Sequence, residues 1–148
     1  MTGQFEATVE IDRSVDEVFA FLADGRNDPK FSPRVLQIAK TPEGPTAAGT
    51  VFVSTVKDAG MTTKREIRVS ELQPPSRLRW TETSKNLVTS AEGGYDLEPT
   101  ADGRTRLHVF NRLEGHGIGK LLTPLALGAA RKDADAFADR IKRAVEAS

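Results

Sequence analysis

The chain has 148 residues, 38% of them hydrophobic and 28% charged, and its 21 basic side chains are matched by 21 acidic ones. That balance leaves no global basic field to gather nucleic acid, and the length suits one domain, 1–148, with a sizeable core. The absence of cysteine excludes disulfides, thiolate metal ligands and a cysteine nucleophile.

Phe5, Ala7, Val9 and Ile11 alternate with Glu6, Thr8, Glu10 and Asp12, which predicts a half-buried strand over 5–12. This start is too polar for a signal peptide, and no apolar run reaches the ~20 residues of a membrane-spanning helix. A cytoplasmic protein without integral membrane association is expected. Ser14 and Glu17 form a capping box, and Val15, Val18, Phe19 and Leu22 give a helix running to about Ala23. Asn27-Asp28-Pro29 opens a second helical turn through Phe31, stopped by Pro33. Two short helices in a row would close one end of a sheet.

Six strands are predicted next, over 35–41, 50–58, 61–72, 77–84, 88–97 and 104–113. The separators are turn residues such as Ala59-Gly60, Pro74-Pro75 and Asp102-Gly103, so the strands read as antiparallel hairpins. Gly93-Gly94, inside a strand, marks a bulge or a close approach of another backbone. The last quarter, 123–147, reads as one amphipathic helix, with Leu127, Ala130, Ala134, Phe137, Ile141 and Val145 on one face. Thr123 is its expected cap, with Pro124 in the first turn. The fold class is therefore α+β: a seven-stranded curved antiparallel sheet around a long C-terminal helix, in the order β-α-α-β6-α.

Catalytic motifs are sparse. His108 and His116 are the two histidines, and no spaced His/carboxylate cluster accompanies them; no metal and no cofactor are expected. The run Gly115-His-Gly-Ile-Gly-Lys120 fails the P-loop spacing, because Glu114 stands where the first glycine belongs. It reads as a flexible connection into the long helix, free to gate a cavity mouth. The basic pairs Lys64-Arg65, Arg77/Arg79, Arg104/Arg106 and Lys142-Arg143 are interleaved with acids and apolar residues, so nucleic-acid binding is not expected.

What remains is the concave face. Leu78 and Trp80 share parity, with Glu82 next; Tyr95 and Leu97 share it on the following strand, and Leu107, Val109, Asn111 and Leu113 on the last. The long helix contributes the small residues Ala126 and Ala130, and Phe137, with Leu122 just before it. Mostly apolar walls with a few polar tips suit a small-molecule pocket. They equally suit a dry core in which Trp80 and Tyr95 find partners. Glu82, if it points inward, is an acid–base candidate together with Tyr95 and His108; if it lies near the strand end, it is merely solvated. The inward parity of 50–58 and 61–72 stays open, because both faces carry apolar residues.

The order of these segments resembles the START-like helix-grip superfamily (SRPBCC), in particular its polyketide cyclase/dehydrase-like branch. The resemblance rests on Ser-Val-Asp-Glu-Val-Phe at 14–19, Asn-Asp-Pro-Lys-Phe-Ser-Pro-Arg-Val at 27–35, Gly49 opening a strand, Leu-Gln-Pro-Pro-Ser-Arg-Leu at 72–78 and Leu-Glu-Pro at 97–99. Relatives often carry Trp where this chain has Phe31; the resemblance implies that Phe31 is a ligand-binding residue and an apolar lid, without the Trp N–H contact. The resemblance implies a hydrophobic or aromatic small molecule, including lipids, held between sheet and helix. Two alternatives stand beside it: a polyketide cyclase/dehydratase-like enzyme using the same cavity, and a protein-interaction or regulatory module with a collapsed one. The sequence leaves the ligand and the oligomeric state unknown.

Overall fold

The alternation near the N-terminus becomes β1 (Thr2–Ile11), followed by α1 (Val15–Ala23) and a 3₁₀ helix (Gly25–Lys30). Then come β2 (Val35–Thr41), β3 (Val51–Asp58), β4 (Met61–Gln73), β5 (Arg77–Glu82), β6 (Val88–Pro99) and β7 (Thr105–Gly115). The chain ends in α2 (Gly119–Glu146). This computed structural model describes residues 2–58 and 60–148; Met1 and Ala59, half of the expected Ala59-Gly60 turn, lie outside the described residues.

All seven strands form one antiparallel sheet in the order β1-β7-β6-β5-β4-β3-β2. Six of them follow by hairpins, and β1 pairs back onto β7, from Thr2 opposite Glu114 to Ile11 opposite Thr105. β1 and β2 are therefore the two edges, and α1 with the 3₁₀ helix carries the chain between them. The order β-α-α-β6-α holds, the second short helix being 3₁₀.

Three bulges change which residues face inward. Leu36 is extra on β2, Ser70 on β4 and Ala91 on β6, where the pairing shifts between Val35 and Gln37, between Val69 and Glu71 and between Ser90 and Glu92. A bulge inserts one residue into a period of two, so the inward parity switches across it. Gly93 is not at the bulge. A Cβ there would sit 2.4 Å from the Trp80 indole, so the glycine makes room for that ring.

α2 begins four residues before the expected cap. Its first turn is wound by i→i−3 bonds, Gly119 N–H to His116 C=O (2.8 Å), Lys120 to Gly117 and Leu121 to Ile118. Thr123, expected as the cap, lies inside the helix and donates its hydroxyl to the Gly119 carbonyl at 2.8 Å. Of the glycines read as a flexible connection, Gly115 and Gly119 allow close packing: a Cβ on Gly115 would fall 2.2 Å from the Thr123 hydroxyl and one on Gly119 1.9 Å from the Leu87 carbonyl oxygen.

The core lies under the C-terminal half of α2. Ala134, Ala138, Ile141 and Val145 pack with Ala7 and Ile11 of β1, Leu107 and Val109 of β7, Leu97 of β6 and Val18 of α1. Ile11, Val18, Leu107 and Ile141 are wholly buried. At about 25 cal/mol per Å² of apolar surface, full burial of each such side chain contributes roughly 1.5–3 kcal/mol.

Candidate functional site

α1 and the 3₁₀ helix do not lie flat on the sheet. Phe31, directly after the 3₁₀ helix, meets Phe137 of α2 with ring centroids 5.8 Å apart, and Phe21 of α1 at 6.4 Å. Arg140 of α2 donates Nε–H to the Phe31 carbonyl at 3.0 Å, and its Nη2 pairs with Asp133 at 2.8 Å. These contacts tie one wall to the long helix. Behind them lies a cavity of about 190 Å³. Leu22, Phe31 and Asp28 line it on one side, Phe137 comes from α2, and the sheet supplies Ile38, Phe52, Ser54, Ile67, Val69, Leu78, Trp80, Tyr95 and Asn111. A larger depression beside Ala48, Gly49 and Arg68 is open to solvent and lacks convergent walls.

Of the residues expected to line a pocket, Phe31, Trp80, Tyr95, Asn111 and Phe137 meet here. Trp80 and Tyr95 pack edge to face at 5.0 Å. Leu97, Leu107 and Val109 face inward as their parity predicts, but they belong to the dry core further along the sheet. Leu122, Ala126 and Ala130 are not on the cavity wall: Leu122 is 43% exposed and the two alanines half-buried. That half of α2 rests instead on Thr123 and Leu127, and Leu127 presses on Gly3 so closely that a Cβ there would fall 2.1 Å from its methyl carbon.

The three acid–base candidates separate. Tyr95 is on the cavity. Glu82 has a side chain only 1% exposed, but it sits in a polar cluster at the end of the strand rather than on the cavity wall. Its carboxylate accepts from Arg65 Nη1 at 3.0 and 3.1 Å, Ser90 N–H at 3.0 Å, Asn86 Nδ2 at 2.9 Å and Ser84 Oγ at 2.6 Å. Those donors occupy its lone pairs. Ser90 in turn donates its hydroxyl to Asn111 Oδ1, which leaves the Asn111 amide N–H groups for the cavity. His108 is on the other face of the sheet, between Glu6 at 3.7 Å and Asp96 at 3.8 Å, stacked on Phe110. Among the described residues no group of three or more His, Asp or Glu is placed to hold a metal ion.

Sequence reading missed Asp28. Its carboxyl faces the cavity from the 3₁₀ helix. Loss of solvent among the apolar walls, reinforced by the nearby Asp24 charge, pushes its pKa up to about 7. Burial likewise drives the Tyr95 phenol well above its ordinary value, and the Asp28 charge adds to this. Among the described residues, every side-chain nitrogen or oxygen that is sealed from open space has a hydrogen-bond partner. The Asp28 carboxyl, the Tyr95 hydroxyl, the Trp80 Nε1–H and the Ser54 hydroxyl have none in the protein, so all four open onto space. One signal was available: an acid beside Pro29, between the apolar faces of Leu22 and Phe31.

The family described as polyketide cyclase / dehydrase and lipid transport matches residues 2–146. The chain belongs to this family. No curated protein sequence matches it significantly. Solved structures share its fold at low identity. A protein from Thermus thermophilus superposes with a TM-score of 0.79 at 16% identity, covering 98% of both chains. A START superfamily protein from Mycobacterium smegmatis gives 0.73 at 16% identity over 97% of each chain. The Zhui aromatase/cyclase from a Streptomyces species gives 0.71 at 16%, covering 98% of this chain and 92% of its own. The helix-grip fold of this START-like family member is thereby fixed, and its ligand is a separate question. Among the described residues no helix is long and apolar enough to cross a membrane.

Proposed function

We propose that the protein binds a hydrophobic or aromatic small molecule between the sheet and α2. The observation that carries this reading is the set of polar groups without a protein partner, among them those of Asp28, Ser32, Ser54, Trp80 and Tyr95 and the Asn111 amide nitrogen, opening onto a mostly apolar space. Groups that open onto such a space pair with whatever fills it. A bound molecule with a few matching polar atoms is oriented by them, while its apolar body adds affinity by leaving water. The membership of a polyketide cyclase and lipid transport family supports the same reading.

Native mass spectrometry of gently purified protein tests it. A one-to-one adduct is expected, and Ser54→Leu, which fills the cavity from the β3 side, should lose it while still melting cooperatively. A clean apo mass, with no uptake from a panel of neutral aromatics and fatty acids, defeats the reading.

A second reading, catalysis in the same cavity, draws on the Asp28 carboxyl poised near neutrality beside Tyr95. Such a pair suits proton transfer at a carbonyl or hydroxyl group. Asp28→Asn would then abolish turnover of a bound polyketide-like substrate and leave stoichiometric binding in place.

A further inference from the structure

These partnerless groups are not equivalent. Trp80 Nε1–H is a donor, and the Asn111 amide, its oxygen already engaged by Ser90, is left to donate as well. The Ser54 and Tyr95 hydroxyls act either way. Among the described residues Asp28 is the one acidic side chain lining the cavity, and it reaches it from the 3₁₀ helix rather than from the sheet.

Among the described residues nothing neutralises Asp28. Its nearest acid, Asp24, is held by Arg26, whose Nε and Nη2 each approach a different carboxylate oxygen at 2.9 Å. Lys30 lies 5.5 Å from the centre of the Phe21 ring, and no cation acts on the Asp28 carboxyl. The walls around it are Leu22, Phe31, Phe52 and the Tyr95 ring. Among the described residues none donates a hydrogen bond to this carboxyl, so a donor has to come from what occupies the cavity. A ligand carboxylate would meet like charge at close range.

Resting on the ligand-binding reading above, we propose that Asp28 is the polar anchor of the cavity: it accepts a hydrogen bond from a hydroxyl on an uncharged, otherwise apolar ligand, and it discriminates against carboxylate ligands of the same shape. The sheet donors, Trp80 and Asn111, then receive an oxygen elsewhere on the ligand. Selectivity comes from the donor, since a site built to accept a hydrogen bond loses that bond with an analogue lacking the hydrogen.

Calorimetric titration with three two-ring probes tests this: 2-naphthol carries the donor, 2-methoxynaphthalene lacks it, and 2-naphthoate carries a charge. At pH 8, 2-naphthol should bind the unmodified protein at least about tenfold more tightly than 2-methoxynaphthalene, with 2-naphthoate weakest. Asp28→Asn should shrink the naphthol preference severalfold and admit 2-naphthoate, and Asp28→Ala should erase the preference; circular dichroism confirms that both variants are folded. Equal binding of 2-naphthol and 2-methoxynaphthalene, or an order unchanged in both variants, overturns the assignment of Asp28 alone. Absence of binding by all three probes defeats the cavity reading and this assignment with it.

Discussion

Asp28 lowers the stability of the ligand-free protein at neutral pH. Its folded-state pKa, about 7, lies above the ordinary 3.8, so between those values the folded chain holds more protons than the unfolded one. Stability then falls as pH rises through that window and is lowest, as far as this group is concerned, above pH 7. Asp28→Asn removes the ionisation but keeps the shape. We expect it to be more stable than the unmodified protein by roughly 2–4 kcal/mol at pH 8, the gain shrinking to near zero by pH 4, as read from urea melts across that range. Such an acid is hard to find from sequence. In Asn27-Asp28-Pro29 an aspartate has a sufficient local explanation in turn chemistry, and only the tertiary contacts of Phe31 and Phe52 reveal what it faces. Glu82 was visible for the opposite reason. Its parity points inward, but parity says nothing about the donors from Arg65, Asn86 and Ser90 that occupy it.

At the scale of the element, α2 divides at about residue 130. Beyond it the stripe read from sequence is the stripe that packs, with Ala134, Ile141 and Val145 buried. Before it, Leu121 and Leu125 are 81% and 76% exposed, and contact with the sheet runs through Thr123 and Leu127. Periodicity cannot tell these halves apart, because leucines satisfy the pattern on several faces. Local signals also misplaced the start: Thr123-Pro124 is a good capping sequence, but tertiary packing of Gly119 against Leu87 extends the helix past it. Gly119→Ala should cost about 1–3 kcal/mol, since its Cβ would meet a backbone carbonyl that yields only with the β5–β6 connection. Leu122→Ala, on the exposed side, should fall within about 0.5 kcal/mol of the parent. Thermal melts of the two variants compare them directly. The strands show the same division. Their number and order are legible from turn residues, whereas inward parity on β4 and β6 is broken by the bulges at Ser70 and Ala91. On β3 the alternation Phe52, Ser54 against Val51, Val53 offered no basis for choosing a face.

Across the whole molecule, burial is concentrated where β1, β7, β6 and the C-terminal half of α2 meet, while β2 is an edge whose residues are half-buried or exposed. Opening free energies should follow that gradient. Amide exchange is expected to be slowest at Leu107 and Val109 and fastest, among the strands, along β2; uniform protection would contradict it. Ligand uptake should raise protection at Phe52, Ser54 and Phe31, which line the cavity, more than at Leu107. The pairing of β1 with β7 has a consequence for how the protein is made. The first strand has no neighbour in the sheet until β7, about a hundred residues later, has been synthesised, and the helix that covers both comes last. The meander from β2 to β7 assembles from near neighbours in sequence, but β1 and α1 leave the ribosome long before their partners. Closure of the sheet is thus a late event, and a nascent chain stalled before residue 105 would carry an apolar first strand with nowhere to dock.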